Sequence, residues 1–270
     1  LTYIAKDNDK ILIKDKPNIT KIGEKSNYDL RKVFDNAIFV QGKGNNISIV
    51  DREGKVYESI QSKANNDIEN AKKVISSSNA KYVIKEDGTL WAKGASTTGM
   101  WGENVSKNDY VQITKDGINN FTNVKEIFTS KIGRSAIFIT EDNRMYWAGA
   151  SGNIVLPGIK GDYNVVGLGK ETNYPKEVIS EVINGKQIKD IEYLDINEGG
   201  VYGTTTLILT EDGKIYIMST NKNMSGNNTT ASNTSGDFTE LIIKEGTTVK
   251  QILTEDGLSL ALLSNGEVYG

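Results

Sequence analysis

The chain of 270 residues contains no cysteine and no histidine, and it has only three tryptophans and three prolines. Without cysteine it can form no disulfide, no thiolate nucleophile and no zinc–thiolate site. Without histidine it has no imidazole base, no Ser-His-Asp triad and no histidine-ligated metal. For an enzyme built from this sequence, we expect catalysis by Asp or Glu.

Long apolar runs and a large excess of one charge are also missing. No apolar run approaches the roughly 20 residues that a membrane-spanning helix needs, so we expect no membrane insertion. The net charge is −3, which favours neither nucleic acid nor an anionic membrane as a partner. The sequence thus indicates an ordinary protein surface without a polyanion-binding composition.

The compartment is only weakly indicated. The chain opens at Leu1 without a signal peptide, and we expect it to be part of a longer polypeptide. Its richness in Lys, Asn and Ile favours a bacterial origin. We expect a secreted or cell-surface location, although cysteine-free chains also occur in the cytosol.

Six stretches share one pattern, in which alternating apolar residues lead through a polar turn into a second alternating run. Alternation with period two is typical of strands that bury one face. Asp87-Gly88, Asp212-Gly213 and Asn265-Gly266 predict tight two-residue hairpins, because Gly, Asn and Asp tolerate positive φ. The six stretches are YIAKDNDKILI, ISIVDREGKVY, YVIKEDGTLWAKG, AIFITEDNRMYWAG, LILTEDGKIYIMS and LALLSNGEVYG.

The turns recur at irregular intervals of 34 to 70 residues, which is typical of a propeller or solenoid with unequal loops. A short strand phrase lies between the hairpins, as RKVF, KKVI, VKEI, IKDI and VKQI, and a fourth strand often precedes it. Four strands per unit make one blade. We predict an all-β fold, a β-propeller with six or seven blades in the full ring. Residues 1–270 would form a single domain with an incomplete first blade.

The repeated phrases resemble the regulator of chromosome condensation repeat, a β-propeller family. The segment LTEDGKIY at 209–216 is similar to the family's strand–turn–strand phrase, and GMWG at 99–102 resembles its Gly-Gln-Leu-Gly phrase. The Pro-x-x-Val and Val-x-x-Ile phrases have counterparts at 175–178 and 124–127. The chain departs from the family by lacking the histidine that often precedes a strand of each repeat.

This resemblance implies a binding function, since such propellers serve as exchange factors for small GTPases, ubiquitin-ligase modules, a plant light sensor and β-lactamase inhibitors. We expect a non-catalytic module of a bacterial protein that binds another protein through its rim loops. Two alternatives stay open. One is a carbohydrate-active or carbohydrate-binding propeller with a glycan as partner, and the other is a β-lactamase-inhibitor-like protein. We expect no catalytic residue, no cofactor and no metal site.

Aromatic residues between the predicted strands are the candidate binding residues, because aromatic anchors on rim loops suit protein-binding and sugar-binding faces. Trp91, Tyr146, Tyr216 and Tyr57 lie on predicted strands instead and are expected in the core. Long excursions at 150–166 and 220–237 interrupt the repeats. The candidate binding residues are Tyr28, Trp101, Tyr110, Tyr163, Tyr174 and Tyr202.

Paired carboxylates also recur, as in Glu86-Asp87, Glu141-Asp142 and Glu211-Asp212. Two carboxylates could serve glycoside cleavage. Every pair lies at a predicted hairpin turn, where Asp bonds its own backbone. Repetition in successive units favours a role in folding over a single catalytic pair.

Overall fold

The structure is a computed structural model. It describes residues 2–7, 10–15, 32–34, 36–43, 46–59, 62–77, 79–95, 107–129, 135–149, 154–156, 165–166, 172–194, 205–219, 237–255 and 258–270. Every regular element within these ranges is a β-strand. They contain no helix with the length and apolar character that a membrane crossing requires.

Three sheets are four-stranded antiparallel meanders in which the chain moves outward from the ring axis. The second blade consists of β7 (Ala71–Ser76), β8 (Ala80–Lys85), β9 (Leu90–Gly94) and β10 (Lys107–Gln112). The third consists of β11 (Val124–Thr129), β12 (Ser135–Thr140), β13 (Met145–Gly149) and β16 (Thr172–Glu177). The fourth consists of β17 (Ile188–Leu194), β18 (Thr205–Thr210), β19 (Ile215–Ser219) and β20 (Thr239–Leu241).

Two further blades have three described strands each. The first blade consists of β4 (Ala37–Lys43), β5 (Asn46–Asp51) and β6 (Val56–Tyr57), and the fifth of β21 (Val249–Glu255), β22 (Leu258–Leu263) and β23 (Val268–Tyr269). Ahead of them lies a sheet of β1 (Thr2–Asp7), β2 (Lys10–Asp15) and β3 (Lys32–Phe34), and the third blade carries a small hairpin of β14 (Ile154–Val155) and β15 (Val165–Val166).

The fold class is therefore confirmed as an all-β propeller, with five antiparallel blades where the sequence predicted six or seven for the full ring. All six predicted hairpins are present as β1–β2, β5–β6, β8–β9, β12–β13, β18–β19 and β22–β23. The prediction of a short strand at RKVF is confirmed by β3. Its residues in β3 pair with β2, and the blade begins at β4, after Asn36 turns the chain with φ 60°.

The hydrophobic core lies between blades rather than inside any one of them. Each of four clusters joins two consecutive blades, and their fully buried side chains include Tyr82, Phe138, Trp147 and Tyr216. A sheet can bury both faces only when neighbours cover them, so adjacent blades stabilise one another through apolar contact. The inner strands β4, β7, β11, β17 and β21 contact each other in this order around the axis.

Candidate functional site

The up-and-down course of each blade sorts its connections onto two opposite faces of the ring. Strands of an antiparallel meander alternate in direction, so connections from the first to the second strand and from the third to the fourth share one face. The connections from the second to the third strand, and from one blade to the next, share the other. We call the face with the first-to-second and third-to-fourth connections the long-loop face. The opposite face, with the second-to-third and blade-to-blade connections, is the turn face.

The turn face carries one tight turn per blade with the same geometry. In the fourth blade, Gly213 N donates to the Thr210 carbonyl at 2.9 Å and Thr210 N donates to the Lys214 carbonyl at 3.0 Å. Gly213 has φ 78°, which marks a type I turn followed by a left-handed residue. The prediction of two-residue links was therefore wrong by one residue. The positive φ at the Gly or Asn of these turns is confirmed, at Gly54, Gly88, Asn143, Gly213 and Gly266.

Three of these turn glycines also hold the next blade. Ala71 N donates to the Gly54 carbonyl at 2.9 Å, and Val249 N donates to the Gly213 carbonyl at 2.8 Å. Val124 N donates to the carbonyl of Gly88 at 3.1 Å. The turn face is thus closed by backbone hydrogen bonds that cross from blade to blade.

The aspartates of three turns are hydrogen-bonded inside their own turns, as the sequence predicted. The Asp87 carboxylate accepts the Thr89 hydroxyl at 2.6 Å and the Thr89 N–H at 3.0 Å. Hydrogen bonds from Thr140 and Thr210 likewise lower the pKa of Asp142 and Asp212. Hydrogen bonds that favour the charged form stabilise an ionised carboxylate, which is the opposite of what a general acid needs.

The long-loop face receives the long connections. The strands that border residues 96–106, 150–171, 195–204 and 220–236 all end there. The excursion at 150–166 is anchored, because Leu156 is fully buried among Trp147, Tyr216 and Met218 between the third and fourth blades. Of the excursion at 220–237, only Asp237 lies within the described residues. Its carboxylate accepts the Val182 N–H at 3.0 Å.

A layer of buried hydroxyls lies at the ends of first, second and third strands on the long-loop face. The Thr205 and Ser219 hydroxyl oxygens are 2.7 Å apart, and Ser48 bonds Ser76 across the first and second blades. Within the described residues, the hydroxyls of Ser135 and Thr129 are buried without a hydrogen-bond partner. Within this layer, Thr205 and Ser219 lie at the ends of strands that border the long connections 195–204 and 220–236.

A charged cluster stands at the same face between the first two blades. The Glu58 carboxylate binds Lys93 Nζ at 2.6 Å and also pairs with Lys81. Burial alone would raise the pKa of Glu58, but hydrogen bonds from the two lysines hold it below its ordinary value. Lys93 Nζ also lies 4.5 Å from the centroid of the Tyr110 ring. The cluster holds together β9 and β10, the two strands that border residues 96–106.

The structure places two of the six predicted binding residues. Tyr110 lies on β10, is only 5% exposed and has its pKa raised by burial. Tyr174 lies on β16, and a Cβ built on Gly117 would be only 2.8 Å from its hydroxyl oxygen. Placing these two residues in loops was wrong, because both pack in fourth strands. Tyr28, Trp101, Tyr163 and Tyr202 lie outside the described residues.

The residues expected in the core follow the prediction to different degrees. Tyr216 is 2% exposed, whereas Trp91, Tyr146 and Tyr57 are half-buried. Pro175 and Val178, Val124 and Ile127 are all buried. Sequence reasoning missed the left-handed asparagines that precede inner strands, at Asn36, Asn70 and Asn123. The repeated Asn before AIF, AKK and VKE was the signal that could have revealed them.

An axial cavity of about 400 Å³ lies inside the ring and is bordered by the inner strands of all five blades. Its lining mixes apolar side chains such as Phe39, Phe128 and Leu253 with the carboxylates of Glu126 and Asp190. Lys73 pairs with Glu126. Over the described ranges, no three Asp or Glu side chains cluster closely enough to hold a metal ion.

Comparison with solved structures defines the class as a β-propeller like that of RCC1. The yeast RCC1 protein Prp20, solved bound to Kap60, matches with a TM-score of 0.60 and 10% identity over 83% of this chain and 53% of that chain. Human WBSCR16 matches with a TM-score of 0.59 and 15% identity over 86% of this chain and 60% of that chain.

A second structure of Prp20p, from Saccharomyces cerevisiae, was described together with its binding to Gsp1p and histones. It matches with a TM-score of 0.58 and 12% identity, over 89% of this chain and 57% of that chain. The chain thus spans between 53% and 60% of these three proteins. No protein-family model and no curated protein sequence matches it significantly. At these identities the comparison establishes the fold.

Proposed function

We propose that this propeller is a non-catalytic module that binds another protein through its long-loop face. The observation that carries the proposal is the separation of the two faces. The turn face carries the tight turns and the blade-to-blade connections, among them residues 113–123 and 178–187, and backbone hydrogen bonds cross it between blades. The strands that border the four long connections end at the opposite face. Rigid scaffolds typically carry binding residues on loops of this kind.

The predicted aromatic anchors support the same face. Trp101 and Tyr163 fall in connections between third and fourth strands, and Tyr202 falls between β17 and β18. All three connections are bordered by strands that end at the long-loop face. Aromatic residues supply large contact areas and are enriched among the residues that dominate binding energy. Prp20, which shares the fold at low identity, was solved in complex with Kap60.

The wider context of the proposal comes from the sequence. We propose a full ring of six or seven blades, with β1–β3 contributing strands beyond the five blades. A bacterial secreted or surface protein is the proposed parent, on the basis of composition. The absence of catalysis is supported by the lack of His and Cys and by the hydrogen bonds that Asp87, Asp142 and Asp212 make within their turns.

Comparative affinity capture tests the proposal. Three baits are compared: the wild-type chain, a W101A/Y163A/Y202A variant, and a turn-face variant E86Q/E141Q/E211Q. Proteins retained by the first and third baits but lost from the second are purified and titrated against the wild-type chain by calorimetry. We expect at least about a tenfold loss of affinity for the aromatic variant. Equal binding by all three baits would contradict the assignment of the face.

A glycan array with the same three baits addresses the alternative partner. Binding of a glycan that disappears in W101A/Y163A/Y202A, together with no protein partner, would replace the protein by a carbohydrate ligand. Release of sugar from a bound glycan would contradict the non-catalytic role. Inhibition of a purified β-lactamase by the wild-type chain would identify the partner as that enzyme.

A further inference from the structure

The inner strand of every blade contains a β-bulge at its second residue. The pairing register shifts between Ala71 and Lys73 in the second blade and between Val124 and Glu126 in the third. The other three blades show the same shift between residues 37 and 39, 188 and 190, and 249 and 251. A bulge leaves one residue unpaired and redirects its side chain.

The bulged residue is a lysine in four of the five blades. Lys72, Lys189 and Lys250 are exposed and Lys125 is half-buried, while Ile38 takes the position in the first blade at 51% exposure. Each of these residues lies at the start of an inner strand, which is the end of that strand at the turn face. Since consecutive inner strands contact one another around the axis, the lysines form what we call the basic ring.

Within the described part of the chain, none of the four lysines takes part in an ion pair. Two of them are followed in sequence by a carboxylate, Lys125 by Glu126 and Lys189 by Asp190. Lys189 Nζ donates instead to the backbone carbonyl of Lys250 at 2.8 Å. That bond spans the inner strands of the fourth and fifth blades. Gathering like charges around one axis is unfavourable unless an anion offsets them. The basic ring is therefore a local feature, since the net charge of the whole chain is −3.

Acidic turns lie on the same face but farther from the axis, between the second and third strands of the second, third and fourth blades. Glu86, Glu141 and Glu211 are exposed there, beside the Asp residues that hydrogen bonds keep ionised. The turn face therefore carries a basic centre with acidic turns beside it on three of the five blades. A long polyanion that extends from the centre over these three turns would be repelled, whereas a short acidic segment can occupy the centre alone.

The geometry points to a second binding surface at the basic ring, one that takes a short Asp- or Glu-rich segment of a partner protein. The carboxylates of Glu126 and Asp190 line the axial cavity below the ring. The bound segment accordingly stays at the entrance of the cavity. This surface lies opposite the long-loop face, so its existence does not depend on the function proposed for that face.

The test uses fluorescence anisotropy with a labelled oligoglutamate peptide. The variant K72Q/K189Q/K250Q removes the three exposed lysines of the ring. The matched control K63Q/K115Q/K176Q removes three exposed lysines elsewhere and changes the net charge equally. We expect about a tenfold or greater loss of affinity for the ring variant and less than about threefold for the control. Binding by the wild type should weaken as NaCl rises from about 50 to about 300 mM.

Several outcomes would overturn the inference. They are no binding of oligoglutamate by the wild type, equal losses in the two triple variants, or tighter binding of single-stranded DNA or polyphosphate than of oligoglutamate. Thermal unfolding by circular dichroism checks that each variant is folded. Should the ring variant fail that check, K72Q and K250Q are compared singly with K63Q. Each ring substitution should then cost about twofold or more, and no difference from K63Q would refute the ring.

Discussion

Gly213 makes the contact between blades directly testable. Its φ of 78° already disfavours any side chain, at a cost of about 1–2 kcal/mol for alanine. A Cβ at this position would also lie 2.6 Å from Thr248 Cβ and 3.2 Å from the Val249 carbonyl oxygen. Overpacking of this kind costs about 1–3 kcal/mol. We therefore expect Gly213→Ala to lower the free energy of unfolding by about 2–5 kcal/mol.

Gly266 provides the matched control. It occupies the same position of the turn in the fifth blade with φ 89°, and a Cβ there would meet nothing within 4 Å. Gly266→Ala should cost only the backbone strain of about 1–2 kcal/mol. The difference between the two substitutions measures the contact of Gly213 with the next blade, separated from the cost of the left-handed backbone.

Urea denaturation followed by tryptophan fluorescence provides the measurement, with midpoints compared at a common m-value. A double-mutant cycle with Thr248→Gly removes the atom that the new methyl group would meet. In that background, the cost of Gly213→Ala should fall towards that of Gly266→Ala. Equal costs for Gly213→Ala and Gly266→Ala in the wild-type background would refute the reasoning. A cost that Thr248→Gly leaves unchanged would refute it too.

Three further predictions concern the acidic turns, the charged cluster and the anchored excursion. Hydrogen bonds lower the pKa values of Asp87, Asp142 and Asp212 in the folded protein. Their contribution to stability is therefore complete above the unfolded-state pKa of about 3.9, and it is lost as the pH falls through the lower folded-state pKa. In the variant D87N/D142N/D212N, the urea midpoint should therefore fall less steeply than in the wild type as the pH is lowered below about 4. An unchanged dependence on pH would contradict this role. Glu58→Gln should destabilise the chain by about 1–2 kcal/mol in thermal unfolding, because it weakens the bonds to Lys81 and Lys93. The exposed pair of Lys55 with Glu53 makes Glu53→Gln the control, expected within about 0.5 kcal/mol of wild type. Leu156→Ala should cost about 2–5 kcal/mol because it empties a buried site between two blades. Ile118→Ala, at a residue that is 86% exposed, should be nearly neutral in the same urea titration; similar costs for both would argue against the anchor.

The sequence by itself determined the fold class and the six hairpins. Alternation of apolar residues with turn-forming Asp-Gly and Asn-Gly pairs is a local property, and it places the hairpins irrespective of what they pack against. The same locality made the carboxylates of Asp87 and Asp212 recognisable as turn residues. Local pattern could not show where RKVF pairs, since the phrase resembles those of the inner strands but its strand pairs with β2.

Only the tertiary structure decided how the candidate residues are used. Tyr110 and Tyr174 lie between strand phrases in the sequence, but neighbouring elements enclose Tyr110 and half-bury Tyr174, because fourth strands pack against the adjacent blade. The assignment of connections to two faces required the strand order. The basic ring required the bulge register of every inner strand, because lysines 53 to 64 residues apart in sequence meet only when successive blades surround one axis.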